Sequence, residues 1–247
     1  MKVKLGIIVF FVIGLILFSC KGEPGAAGDK GATGPAGGTG AIVMSFQDGV
    51  FPSDNYAGTS DAAIINSVPE YNNGACTSFD AANSSCTWNS SRALLKFDVS
   101  SLVPSNVTVK KAYLELHTID GAGPIGFVVH ELTRAFDEGT SCNAKGTCSW
   151  ISATASTMWT TPGGDYDATQ MSSVVNVADL SINQAIIFEL NASVVQKWIN
   201  DPSKNFGMII KAYPETGSGT CLGAEFATSE YATKSIRPKL TIYYNLP

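Results

Sequence analysis

Arg92 and Lys96 flank Leu94 in the run Ser-Arg-Ala-Leu-Leu-Lys-Phe-Asp-Val, residues 91–99. In a pleated strand Ala93, Leu95, Phe97 and Val99 turn one way, and Arg92, Leu94, Lys96 and Asp98 turn the other. The first set reads as core and the second as a work surface. Comparable outward sets recur along the chain: Tyr113, Glu115 and His117, then Lys211 with Tyr213, then Arg237 with Lys239. A guanidinium forks a carboxylate with two parallel bonds, and an aromatic ring covers the apolar face of a sugar. A sheet face mixing such residues suits a uronic-acid polymer. The competing reading is ordinary cross-strand charge pairing, with Glu115, Glu189 and Glu225 as partners.

A second group falls in one long irregular segment, residues 134–173, where Trp150, Trp159 and Tyr166 accompany Arg134, Asp137, Asp165 and Asp167. Loop aromatics stack on sugars, and the carboxylates offer oxygen ligands to a structural Ca2+. No EF-hand spacing is present, and no other cofactor is expected. The plainer reading is that the aromatics anchor the segment to the core. Catalysis has no motif to carry it: G-x-S-x-G, H-E-x-x-H and the P-loop are absent, and the two histidines, His117 and His130, give no triad order. The expectation is a binding protein and not an enzyme.

The elements that must position these residues are short. Residues 42–47, 62–66, 93–99, 111–119, 127–132, 185–190, 207–212 and 239–243 read as strands between Gly, Pro, Asn, Asp and Ser. Residues 192–200 alone follow a helical spacing through Val194, Val195, Trp198 and Ile199, ended by Asn-Asp-Pro, which predicts one short helix with Trp198 as a core plug. The class is therefore all-β, a sandwich with one helix. Segments 67–90 and 134–173 remain irregular, and each carries a cysteine pair. The simplest pairing is local, Cys76 with Cys86 and Cys142 with Cys148, leaving Cys221 over.

The N-terminal region reads as targeting. Lys2 and Lys4 precede an uncharged apolar run, residues 5–18, too short for an ordinary span and ending in Leu-Phe-Ser-Cys. Residues 1–19 are thus expected to be a signal peptide, with an uncleaved anchor as the alternative. Leu-Phe-Ser-Cys resembles a bacterial lipobox, which implies lipidation of Cys20 and attachment to the outer membrane or cell surface. Without residues 1–19 the chain loses two lysines, and its formal net charge moves from -5 to -7. That balance excludes general attraction to nucleic acid.

Residues 20–41 form a linker in which glycine occupies every third position from Gly22 to Gly40. That period is the collagen signature, because only glycine fits the axis of three wound chains. Prolines stand only at Pro24 and Pro35 within it, so a homotrimeric stalk and a flexible spacer both remain open.

Residues 42–247 carry a family resemblance. Asp48-Gly49-Val50, Asn55-Tyr56-Ala57-Gly58-Thr59 and Ser91 through Asp98 look like the opening of a DNRLRE-type domain. Glu138-Gly139-Thr140, Trp159 through Asp165, Val195 through Trp198, Asn205-Phe206-Gly207, Ser229-Glu230 and Arg237 through Leu240 resemble its later blocks, in order. The resemblance implies a jelly-roll β-sandwich of the carbohydrate-binding-module kind, on an exported protein, with acidic polysaccharide such as alginate among the ligands of some members. The cysteines depart from that pattern, and no catalytic domain is attached. The expected function is a cell-surface lipoprotein whose head binds extracellular glycan. The alternative is a structural or adhesive protein with a trimeric stalk and a protein-binding head.

Overall fold

The structure, a computed structural model, describes residues 40–247 apart from Trp88, Ser101 and Ser218. The expected signal peptide, Cys20 and the glycine-repeat tract up to residue 39 lie outside the described residues. Among the described residues fourteen strands are formed: β1 Ile42–Phe46, β2 Thr59–Ile65, β3 Tyr71–Asn72, β4 Ser78–Ala82, β5 Ser91–Phe97, β6 Thr108–Ala122 and β7 Ile125–Leu132. After these come β8 Ala144–Lys145, β9 Tyr166–Gln170, β10 Val175–Val177, β11 Ala185–Leu190, β12 Met208–Tyr213, β13 Gly223–Ala227 and β14 Lys239–Asn245. Among the described residues one α-helix, α1, is formed, at Ala192–Asn200. All eight expected strands and the expected helix are present.

The fold is a β-sandwich of antiparallel strands. One sheet runs β1-β14-β6-β11, with Leu114 opposite Phe188 on one side and Leu240 on the other. The second runs β2-β5-β12-β7, continued by β9 and β10 on the far edge of β7. The long strand β6 serves both: its last third, from Thr118 onward, leaves the first sheet and pairs with β13, which pairs with β4.

Alternation decides what is buried. Ala93, Leu95 and Phe97 of β5, Phe127 and Val129 of β7, and Met208, Ile210 and Ala212 of β12 face Leu114, Leu116, Phe188, Leu240 and Ile242 of the other sheet in one apolar core. The helix closes one end. Asn191 caps it by accepting from the Ser193 amide at 2.9 Å, and Trp198 is buried in the core with its indole N–H donating to Glu131 at 3.0 Å. Glu131, inward-facing on β7, also accepts from Lys197, so a core carboxylate is fully partnered.

The outer face of the second sheet carries its own small core. Ala62, Ile64, Leu94 and Ile209 are roofed by Trp150, Trp159, Cys148 and Ala153 from the long segment after β7. Leu94, outward by parity and fully buried, is the reason: the aliphatic positions between Arg92 and Lys96 need a cover.

The disulfides are long-range. Cys76 pairs with Cys142 and Cys86 with Cys221, with Cα separations of 4.9 and 4.2 Å, while Cys148 is a buried free thiol. This corrects the local pairing. Five residues of extended β4 stand between Cys76 and Cys86. A strand rises about 3.3 Å per residue, which carries those two cysteines beyond bridging reach. Cys148 is drawn into the roof of the second core, and Cys142 meets Cys76 instead. Disulfides persist in oxidising compartments, which fits export. No helix among the described residues is long and apolar enough to cross a membrane.

A candidate carboxylate-binding cleft and two groups of acids

The strands bring Arg92 and Lys211 together. β5 and β12 are direct neighbours, and the segment after β7 returns as β9 with Tyr166 opposite Leu132. The Arg92 guanidinium lies 4.8 Å from the Trp150 ring and 5.7 Å from that of Tyr166. Lys211 Nζ stands 4.6 Å from the Tyr166 ring centre and donates to its hydroxyl at 2.7 Å. Between the cations stands Glu215, which takes Arg92 Nε at 2.6 Å and Nη2 at 2.8 Å, and Lys211 at 3.1 Å. Burial alone would raise the Glu215 carboxyl, but Arg92 and then Lys211 overcome it and hold it below its usual value.

The third bond of Arg92 goes to the Gly163 carbonyl. Gly163 and Gly164 both have positive φ, and a Cβ on Gly163 would lie 2.5 Å from Arg92 Nη1. A glycine at 163 is what this close approach requires.

Outside that cluster opens a cleft of about 570 Å³ lined by Arg92, Arg134, Thr160, Thr161, Asp165 and Tyr166, among others. Arg134 donates from Nε to Asp165 at 2.6 Å and from Nη2 to Thr160 Oγ1 at 3.0 Å, with 37% of its side chain exposed. The Thr160 and Thr161 amides also donate to Asp165. Burial would raise the Asp165 carboxyl, but these amides and Arg134 hold it below its usual value. Three cations against two carboxylates leave one net positive charge here, in a chain of net charge -5. Chemically the cleft offers a partly free guanidinium, hydroxyls and a half-buried aromatic ring to an anionic, hydroxyl-rich ligand.

The other expected members lie elsewhere. Tyr113, His117 and Lys239 belong to the opposite sheet. Its outer face points away from that of β5 and β12, so one continuous basic face across all these strands does not exist. There Glu115 accepts from Lys239 of β14 at 2.7 Å, which is cross-strand charge pairing, and from His117, two residues along its own strand, at 3.0 Å. Lys111 approaches Glu189 in the same way at 3.8 Å, and Tyr113 packs edge-on against Tyr243.

Lys96 shares the outer face with Arg92 but is cut off by the roof over Leu94. It lines a separate cleft with Ser60, Asp98 and Asn205. Arg237 ties the chain before β14 to the Tyr231 and Asp48 carbonyls. Trp150 and Trp159 are buried in the roof, and the Trp159 indole donates to the Ser149 carbonyl at 2.8 Å, so both anchor the segment and neither is a free stacking platform.

Asp137, Asp165 and Asp167 do not converge as calcium ligands: Asp165 is taken by Arg134, and Asp167 accepts from the Thr169 amide. Two other groups of acids do form. Asp80, Glu225 and Asp120 stand in register across β4, β13 and β6, lining a cleft of about 360 Å³. Glu225 therefore faces like charges and not the cation expected of it. Burial, then Glu225 and Asp120, push the Asp80 carboxyl up to about 7. The second group is Asp61, Glu138 and Glu230. Burial, then the neighbouring acids, raise Asp61 well above its usual value and Glu138 to about 7. Glu138 and Glu230 were visible in sequence only as parts of family-like blocks, and Glu215 and Asp61 carried no signal. Compared with known proteins, the chain matches no family model and no curated protein.

Proposed function

We propose that this chain is an exported glycan-binding module whose ligand is an acidic polysaccharide, held in the cleft of Arg134, Arg92 and Tyr166. The observation that carries the reading is one cleft lined by Arg92, Arg134 and half-buried Tyr166, with Lys211 bonded to the Tyr166 hydroxyl and only two carboxylates to balance the three cations. Arg134 contributes the guanidinium edge that meets a uronate carboxylate, Thr160 and Thr161 meet sugar hydroxyls, and Tyr166 covers a sugar's apolar face. Arg92, Lys211 and Glu215 supply the preorganised floor, so little ordering entropy is lost on binding. The resemblance to DNRLRE-type domains supports the same ligand class. In this reading Cys20 carries the lipid that holds the protein at the cell surface, and the glycine-repeat tract projects the sandwich outward.

Retention of the full-length protein on an immobilised uronic-acid polymer, weakened by salt and lost on Arg134→Ala, is the expected result. Equal retention of wild type and variant, or retention only on neutral glycans, would remove the proposal.

A further inference from the structure

Asp61, Glu138 and Glu230 come from three distant segments: the start of β2, the long segment after β7, and the turn after β13. A carboxylate oxygen of each lies within 4.8 Å of the others. Asp61 is fully buried, on the inward parity of Ala63 and Ile65. Its Oδ2 accepts from the Ser229 amide at 2.8 Å, whereas its Oδ1 is buried without any hydrogen-bond partner. Glu138 Oε1 accepts from the Asp61 amide at 2.8 Å, and Glu230 Oε1 from Ser229 Oγ at 3.0 Å. Among the described residues no lysine, arginine or histidine is within ion-pair distance of any of the three.

A buried carboxylate oxygen left without a partner is costly, and three carboxylates gathered without a counter-charge repel one another. A bound cation removes both penalties at once. The donors are all oxygen, with no imidazole or thiolate, which selects a hard ion. Buried Asp61 and half-buried Glu138 form the wall of the site, and Glu230, on the exposed side, leaves room for water ligands. Ca2+, which takes six to eight oxygens in flexible geometry, fits such a set better than Mg2+ with its strict octahedron.

We infer that Asp61, Glu138 and Glu230 hold one Ca2+, which staples the long segment after β7 and the turn after β13 to the edge of β2. This assignment is independent of the glycan reading.

The test is calcium binding by the full-length protein in detergent, stripped with chelator and dialysed, followed by equilibrium dialysis with radioactive Ca2+ and by thermal unfolding across a calcium series. One ion per chain is expected, with a melting midpoint that climbs as calcium is raised and climbs less with equal Mg2+. Glu230→Gln is expected to keep or raise the metal-free midpoint, since an amide preserves the bond from Ser229 and removes one of the repelling charges, and to weaken calcium binding at least tenfold. Asp61→Asn is the stronger variant, but Glu230→Gln suffices if it fails to fold. Absence of bound calcium at millimolar concentration would overturn the assignment. So would calcium binding unchanged in Glu230→Gln but abolished in Asp80→Asn, which would place the ion at the other row of acids.

Discussion

Arg92 and Glu215, 123 residues apart in the chain, close a two-bonded ion pair with Nε–Oε1 2.6 Å and Nη2–Oε2 2.8 Å. Their side chains are 12% and 19% exposed, so the pair is largely desolvated and has Lys211 as a third member. Removing the carboxylate leaves two cations side by side beneath the cleft. Glu215→Gln is expected to destabilise the protein by about 2–3 kcal/mol, less than a fully buried pair because some of each group reaches water. Arg92→Lys, which keeps the charge and loses the fork, is expected to cost about 1–2 kcal/mol. Urea denaturation midpoints measure both, and unchanged midpoints would contradict the arrangement.

The disulfides give a covalent prediction. Non-reducing digestion and mass spectrometry are expected to recover Cys76 linked to Cys142, Cys86 linked to Cys221, and Cys148 unlinked. Cys148 is expected to resist alkylation in the folded protein and to react once unfolded, since burial raises its thiol well above the usual range. Replacing Cys86 and Cys221 together opens a bridge of sequence separation 135 and is expected to cost about 3–5 kcal/mol in unfolding experiments. Recovery of a Cys76–Cys86 peptide would refute the connectivity.

Asp80 makes stability depend on pH in a stated direction. Its folded value, about 7, is above the unfolded value near 3.9, so the native state holds the proton more tightly. The associated stability is fully present below about pH 4 and is lost as pH rises through about 7. Asp80→Asn is expected to flatten the decline between pH 4 and 7 and to be more stable than wild type at pH 8. Equal slopes in the two proteins would show that Asp80 titrates normally.

The strands and helix were legible because burial on one face writes a period into the sequence. Ala93, Leu95 and Phe97 announce β5, and Val195, Trp198 and Ile199 announce α1. Weakly patterned strands such as β4, with Asp80 between Phe79 and Ala81, were hidden by their small and polar residues. Periodicity also says that a residue points outward without saying from which sheet. Arg92 and Lys211 proved to be neighbours, whereas His117 and Lys239 point outward from the opposite side. Leu94 was the unused clue: an aliphatic residue between two cations implies a cover over that face, and the cover buries both tryptophans. Glu215 and Asp61 were illegible because their partners are fixed by chain paths between strands, which no local spacing encodes.

The proposed function rests on an acidic glycan occupying the cleft beside Arg134 and Tyr166. Its most direct measurement is calorimetric titration of the full-length protein with a defined oligouronate, for wild type, Arg134→Ala and Tyr166→Ala. Arg134 is partly exposed and Tyr166 lines the cleft wall, so folding can be checked separately by melting midpoint. Wild-type binding that weakens as salt is added, and at least a tenfold loss in each variant, about 1.4 kcal/mol or more, are the expected results. Oligouronate binding that is unchanged in both variants, or absent from wild type, would contradict that function.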